Sequence, residues 1–449
     1  MNWKKILALA IFLAVLATAI AYVNHREKGK MAQEGILLDI PAASIDKIEL
    51  MSKGQRFVFS RSETLWFLEE PLAAKADKVV LENILDNFCR LKYDRLVEED
   101  AKDLKIFGLD KPEIELKLFV KGKPAHTILL GMKNSLDESS YVRLAAGGKV
   151  VTIAAYKRSD LEKDLFAFRD KKFLDIDTMA VTALDCRYED KTIAFSKKNG
   201  RWFMEKPVYS LAQDAKVSEL LSSASMLAAL AFTGAASADK KREFGLEKPL
   251  LAIELRSAAG PRKIAVGKKG ERYYALADGV PEICEIAKDF PEKFAGDPAA
   301  FREKKVAVFY AFDVRELSFQ RGPFTFKIRK DPAGNWEFAM PVPGKKPGEE
   351  KISRLLTALA DCEAKEFIDG PKAPIEFTTR IVMKTEDPAE PGKRSETVME
   401  FSAAEGETVF ARNPELPYGF RVGKEILDKL PAKIDEIIEE NPQAVAAGK

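Results

Sequence analysis

The sequence predicts an α+β chain of three tandem repeats, each a mainly antiparallel sheet with an amphipathic helix packed on it, behind one N-terminal transmembrane helix. Two observations predict the repeats. A Trp followed, after four residues, by a Pro occurs as Trp66 with Pro71, Trp202 with Pro207 and Trp336 with Pro341, the tryptophans lying 136 and 134 residues apart. Behind each Trp, at offsets of 15, 15 and 16 residues, begins a four-residue apolar stripe: Leu81/Ile84/Leu85/Phe88, Val217/Leu220/Leu221/Ala224 and Ile352/Leu355/Leu356/Leu359. The i, i+3, i+4, i+7 spacing puts each stripe on one face of a helix.

The sheets are predicted by a turn that leads into alternating residues. Phe107-Gly108-Leu109-Asp110-Lys111-Pro112 precedes Ile114, Leu116 and Leu118, and Phe244-Gly245-Leu246-Glu247-Lys248-Pro249 precedes Leu251, Ile253 and Leu255. Gly and Pro punctuate the turn, and a period of two is that of a half-buried strand. The third copy keeps only Pro374, Ile375, Phe377 and Thr379. Phe168-Arg169-Asp170-Lys171-Lys172 and Phe301-Arg302-Glu303-Lys304-Lys305 close the first two copies, whereas the third ends at Leu430-Pro431 with an acidic helix and is the most diverged, as terminal repeats often are.

In order, residues 1–34 form an anchor and polar stalk, 35–176 the first repeat, 177–305 the second and 306–449 the third. Within the first repeat, short strands at 45–50 and 57–59 precede the Trp strand, which Pro71 ends because Pro cannot donate to a ladder. The helix and the Gly-Leu turn follow, then strands at 113–120, 126–130, 140–144 and 149–153 and a helix at 157–167. The second repeat runs the same way from Val181, with a helix from 214 and strands near 250–256, 262–266, 272–276 and 283–286. The third starts near Val314 and adds Pro/Gly insertions at 341–348 and 388–392, expected as surface loops. Short connections make the pairing mainly antiparallel. Whether the three sheets are separate or continuous is left open by the sequence.

The 449 residues exceed what one core supports, and units of about 130 residues match the usual domain size of about 100–150. Charge is dense but balanced, 72 basic against 70 acidic residues, without the clustered positive charge of a nucleic-acid binder. Residues 6–23 are uncharged and just long enough to span a bilayer, and Lys4 and Lys5 favour a cytoplasmic N-terminus. Ala17-Thr18-Ala19 offers the rival reading of a cleaved signal peptide; either way the body of the chain is exported. Cys89, Cys186, Cys284 and Cys362 match no zinc or redox spacing and read as small buried hydrophobes; Cys186 and Cys284 share one copy, so an oxidising compartment permits a bridge between them.

No residue is assigned a catalytic, cofactor-binding or metal-binding role. His25 lies in the stalk and His126 on a lone strand, so a His-rich zinc site cannot be built. Asp175 and Asp177 read as a polar strand edge, Gly147-Gly148 as a hairpin turn and the Arg-acid-Lys-Lys elements as solvated faces at domain junctions. The tryptophans read as core anchors, with a sugar- or peptide-binding platform as the rival. There is no P-loop, so coupling to ATP must come from another chain.

Together, the Trp-x4-Pro element, the helix, Phe-Gly-Leu-Asp-Lys-Pro and Leu129-Leu130-Gly131, with Ala265-Val266-Gly267 as its counterpart, resemble bacterial proteins of the domain-of-unknown-function family numbered 4340. That resemblance implies no catalytic residues and no cofactor. It implies a single-pass inner-membrane protein whose body faces the periplasm or cell exterior, an accessory of ABC-type transporters similar to gliding-motility export components. The partners expected are transporter membrane subunits and the inner membrane through residues 6–23, not nucleic acid. A non-enzymatic interaction protein is the first expectation, a polysaccharide- or peptide-binding module of the cell envelope the second and an envelope hydrolase the third.

Overall fold

Alternation of apolar and polar residues builds three large antiparallel sheets, with a fourth of only two strands, in the computed structural model, which describes residues 35–135, 137–340, 345–370, 375–386 and 394–439. The chain divides into two compact units, Met1–Lys172 and Phe173–Lys449, the first holding copy one and the second copies two and three. The expected anchor at 6–23 and stalk, Pro341, Pro374 and the insertion at 388–392 lie outside the described residues. Among the described residues no helix is long and apolar enough to cross a membrane.

Copy one comprises β1 (Gly35–Asp39), β2 (Ile45–Ser52), β3 (Gln55–Ser62), β4 (Leu65–Glu70), β5 (Ala74–Lys75), α1 (Lys78–Cys89), β6 (Arg90–Tyr93), β7 (Arg95–Glu98), β8 (Ile114–Val120), β9 (Lys123–Lys133), β10 (Ser140–Leu144), β11 (Val150–Ile153), α2 (Ala155–Leu161) and α3 (Leu165–Phe168). Copy two comprises β12 (Val181–Tyr188), β13 (Lys191–Lys198), β14 (Arg201–Lys206), β15 (Ser210–Leu211), α4 (Asp214–Ser225), β16 (Ala231–Ala235), α5 (Ala238–Glu243), β17 (Leu251–Ser257), β18 (Gly260–Lys269), β19 (Arg272–Ala277) and β20 (Glu282–Ile286). Copy three comprises β21 (Val314–Arg321), β22 (Phe324–Lys330), β23 (Trp336–Phe338), α6 (Glu349–Ala360), β24 (Glu366–Ile368), β25 (Phe377–Glu386), β26 (Arg394–Glu405), β27 (Thr408–Arg412), β28 (Gly419–Gly423) and α7 (Glu425–Lys429).

The strand order is the same in the first two, β5-β4-β3-β2-β8-β9-β10-β11-β7 and β15-β14-β13-β12-β17-β18-β19-β20-β16, and the third, β23-β22-β21-β25-β26-β27-β28-β24, follows it with one edge strand fewer among the described residues. Each helix therefore leaves one edge of its sheet and delivers the chain to the opposite edge, crossing one face on the way. Its start is fixed chemically. Asp77 caps α1 by accepting from the Val79 and Val80 N–H groups. In copies two and three a first-turn carboxylate reaches the Trp strand instead: Asp214 accepts from the Trp202 N–H at 3.0 Å and Glu349 from the Trp336 N–H at 2.7 Å.

All twelve predicted stripe residues are buried, and each Trp lies in the same core as its stripe, with exposures of 1% for Trp66, 3% for Trp202 and 7% for Trp336. Pro71 and Pro207 both follow cis peptide bonds. The Phe of each closing element is also a core residue. Phe168 packs 4.9 and 5.2 Å from the Phe57 and Phe59 rings, and Phe301 packs 5.4 Å from Phe195.

Several expectations need correction. The helix expected at 157–167 is two short helices, α2 and α3. Strands β7, β16 and β24, which add the far edge of each sheet, and the β1–β6 pair are absent from the sequence reading because they are three to five residues long and have little alternation. The described end of the insertion at 341–348 is not a loop in water: Gly348 donates to the Ile437 carbonyl at 2.7 Å and Pro347 bridges Ile438, both buried. The acidic C-terminal helix is instead α7 and a single 3-10 turn, Ile434–Glu436.

Truncating a buried Trp costs about 3–5 kcal/mol. Trp66→Ala should therefore lower the urea midpoint of unit one sharply, with no ligand added. Unchanged melting would mean that Trp66 is not an anchor of this core.

Candidate functional site

The residues that recur between copies converge on two packing devices rather than on a catalytic cleft. The first joins both glycine-bearing motifs. Gly108 and Gly245 sit at φ +66° and +71°, a conformation that L side chains rarely adopt, and each ends a short helical turn. The turn folds back over the sheet face opposite the helix. There the carbonyl oxygens of Phe107 and Phe244 come so close to Gly131 and Gly267 that a Cβ added at either glycine would lie 2.1 Å away. The Phe rings pack 5.1 Å from Tyr141 and 4.2 Å from Tyr274. Phe107, Leu109 and Val150 form a small second core in copy one, and Phe244, Leu246, Tyr274 and Ile283 one in copy two. In copy one this clasp is reinforced from α2: buried Arg158 donates to the Gly131 carbonyl at 2.7 Å, to Glu162 at 2.6 Å and to Glu113.

The second device is the closing element of copy two. Its segment 301–306 runs between two copies of the same unit. On one side Gln213 donates to the Phe301 carbonyl and Glu303 to that of Leu211. On the other Ala364 donates to the Lys304 carbonyl and Val306 to that of Cys362. Arg302, expected on a solvated face, is only 5% exposed. Its guanidinium makes a bidentate pair with Asp369, at 2.8 and 2.7 Å, and lies 3.8 Å from the Phe367 ring centroid and 5.0 Å from that of Tyr418. The Tyr418 hydroxyl accepts the Leu211 N–H at 3.0 Å. In copy one the matching segment pairs with its own edge strand, through Ala76 with Arg169, Asp170 N–H with the Lys75 carbonyl and Lys171 with Asp77 at 3.1 Å.

The remaining candidates stay apart. His126 is half-buried on β9. Asp177 is not on a strand edge; it accepts from the Met179 N–H and starts a 3-10 turn, with Asp175 exposed beside it. Gly147 and Gly148 form the expected hairpin connection between β10 and β11. All four cysteines are buried, no disulfide joins Cys186 to Cys284, and burial pushes the Cys89 and Cys362 thiols up to about 12. Among the described residues no group of three or more His, Cys, Asp or Glu could hold a metal ion. The sheet faces opposite the helices carry ion pairs: Glu49 with Lys47 and Arg56, Arg256 with Asp185 and Glu254, and Glu316 with Lys327 and Lys384. Exposed pairs of this kind contribute about 0–1 kcal/mol each and leave those faces polar and wet.

The model of the family described as domain of unknown function (DUF4340) matches residues 66–249 and again 202–392, starting each time on the repeat's Trp. The chain belongs to that family. No curated protein matches the chain. Among solved structures, a DnaN sliding clamp (DNA polymerase III subunit beta) from Pseudomonas aeruginosa bound to griselimycin aligns over 86% of this chain and 92% of that one, at 6% identity and a TM-score of 0.14, too low to carry an argument.

Two outcomes follow. Gly267→Ala should destabilise unit two by about 1–3 kcal/mol, since a methyl group there meets backbone that cannot swing aside; a urea melt equal to wild type would contradict the close approach. Burial raises the Tyr418 phenol to about 12, against the lowering pull of the Leu211 N–H and Arg302. A phenol with an unfolded value of about 10 then gives stability that is complete below about pH 10 and lost as pH rises towards 12. Tyr418→Phe should flatten that alkaline loss in urea melts, and at pH 8 should cost about 1–3 kcal/mol by leaving the Leu211 N–H unpaired. An unchanged alkaline slope would contradict it.

Proposed function

We propose that this DUF4340 chain is an interaction subunit, held in the bacterial inner membrane by residues 6–23 with its body facing the periplasm, that assists an ABC-type transporter of the gliding-motility kind and carries out no chemistry itself. One observation supports this reading above the others: the residues that recur between copies serve packing. The tryptophans, the stripes, Gly131, Gly267 and Arg302 hold sheets and copies together, and the polar sheet faces are what remains for a partner to meet. The apolar run at 6–23 supports the anchor, and the family supports the accessory role.

Burial of all three tryptophans removes the aromatic argument for a sugar platform. Tyr310 and Phe312 are exposed and stacked 5.6 Å apart, but the matching residues of copy two are Asp177 and Met179, so the pair is not a repeated site.

The test is affinity purification of the full-length tagged chain from detergent-solubilised membranes, read by mass spectrometry. Transporter membrane subunits should be recovered in amounts comparable to the bait, and the chain should resist extraction by alkaline carbonate. Recovery of soluble cytoplasmic proteins alone, or release by carbonate, would contradict the reading.

A further inference from the structure

One row of side chains crosses the sheet face opposite the helix in every copy, and the ladders match it residue by residue. One step from the equivalent pairs Ile114–Leu130, Leu251–Val266 and Thr379–Phe401, the row is Met51–Glu115–Leu129–Arg143 in copy one, Arg187–Ala252–Ala265–Leu276 in copy two and Gln320–Arg380–Glu400–Arg412 in copy three. In copies one and three its charges are satisfied where they stand. Arg143 donates to the Leu144 and Ala145 carbonyls, and Glu115 pairs with Lys117 at 3.0 Å. Arg380 and Arg412 both donate to Glu400. In copy two the last three places are apolar, and two of them hold no more than a methyl group.

Above that row in copy two lies a groove of about 680 Å³, walled by the turn at 278–281 and by Lys241 of α5. The acids on it are engaged. Asp185 and Glu254 both pair with Arg256, at 2.7 and 3.3 Å, Glu254 also pairs with Lys263 at 3.4 Å, and Asp278 accepts the Lys263 N–H at 3.0 Å. Arg187 and Lys241 differ: among the described residues neither side chain has an ion pair or a hydrogen bond. They stand on opposite sides of the groove. Arg187 is on β12, whereas α5 leads into the turn that packs over Tyr274 and Ile283, on β19 and β20. Between them the floor is Ala252, Ala265 and Leu276, and from β12 to β19 it covers three strand spacings, about 14 Å.

We propose that this groove receives an extended segment of a partner protein in which apolar side chains stand between two carboxylates about four residues apart. Four extended residues cover about 13 Å. The apolar side chains meet Ala252, Ala265 and Leu276, and the carboxylates meet Arg187 and Lys241. Arg187, Lys263, Asp278 and Pro281 on the rim are exposed. A cleft that open would leave much of a small ligand in water, whereas a polypeptide also covers the rim. The inference rests on the reading of the chain as an interaction subunit. Its test needs no transporter, so the two can fail separately.

The test selects a phage-displayed library of random heptapeptides on the full-length chain in detergent micelles, then titrates a fluorescein-labelled selected peptide by anisotropy. Peptides with apolar residues between two acids should be enriched over empty micelles and bind saturably. Ala252→Glu, Ala265→Leu and Leu276→Arg, made together, install the copy-one row without changing net charge and should weaken binding at least about tenfold. Arg187→Gln should weaken it several-fold. Replacing both acids of the peptide by their amides should weaken binding to the unaltered protein and reduce its salt dependence, an outcome that does not depend on how any variant folds. No enrichment, enrichment of peptides without acids, or binding indifferent to the filled row would overturn the proposal. So would a dimer of the chain in sedimentation that the filled row dissociates, since the groove would then belong to a second copy.

Discussion

A helix that crosses a sheet once can cover only one of its two faces. The rest of this structure follows from how the other face is managed. Eight or nine antiparallel strands are too many to leave with a bare apolar surface, and too few apolar residues are available to build a second full layer. Copies one and two cover part of the second face with a single turn, brought within backbone contact of the sheet by a glycine, and leave the rest to ion pairs. The turn is short, so it can lie close only if the sheet position beneath it has no side chain. Gly131 and Gly267 meet that requirement; in the third copy, where Phe401 pairs Thr379 as Leu130 pairs Ile114, the equivalent residue is Ser402.

The same economy shapes the junction inside unit two. The closing segment of copy two serves as an added strand for its own edge and for the chain just after α6, so it has water on neither side. A buried guanidinium there would be costly alone. The bidentate Asp369 pair and two aromatic faces satisfy it in a geometry that few other arrangements can reproduce. Such a pair contributes less to net stability than to fixing one arrangement over its alternatives.

Much of the architecture was legible in the sequence because it is carried by periodicity. The stripes beginning at Leu81, Val217 and Ile352, the alternation after Pro112 and Pro249 and the Trp spacing all place the right residues in the right core. The far-edge strands β7, β16 and β24 were not legible, since pairing along one edge needs no alternation and three to five residues give none. Arg302 looked like part of a solvated charge run because its partner lies 67 positions away and its aromatic cover comes from another copy. The glycines were visible as family markers, but their purpose required the turn and the strand to be seen together. Ser402 is matched with Gly131 only by the ladder registers, which the sequence does not show.

The central claim is that the Phe-Gly-Leu turn and the distant glycine form one unit, with the sheet glycine present to seat the turn. A double-mutant cycle of Phe244→Ala and Gly267→Ala, measured by urea unfolding of the full chain, tests it most directly. If the turn is already loosened by loss of the Phe ring, the added methyl group costs less, and the two changes should combine with a coupling of about 0.5–3 kcal/mol below their sum. Additivity within about 0.3–0.5 kcal/mol would contradict the account.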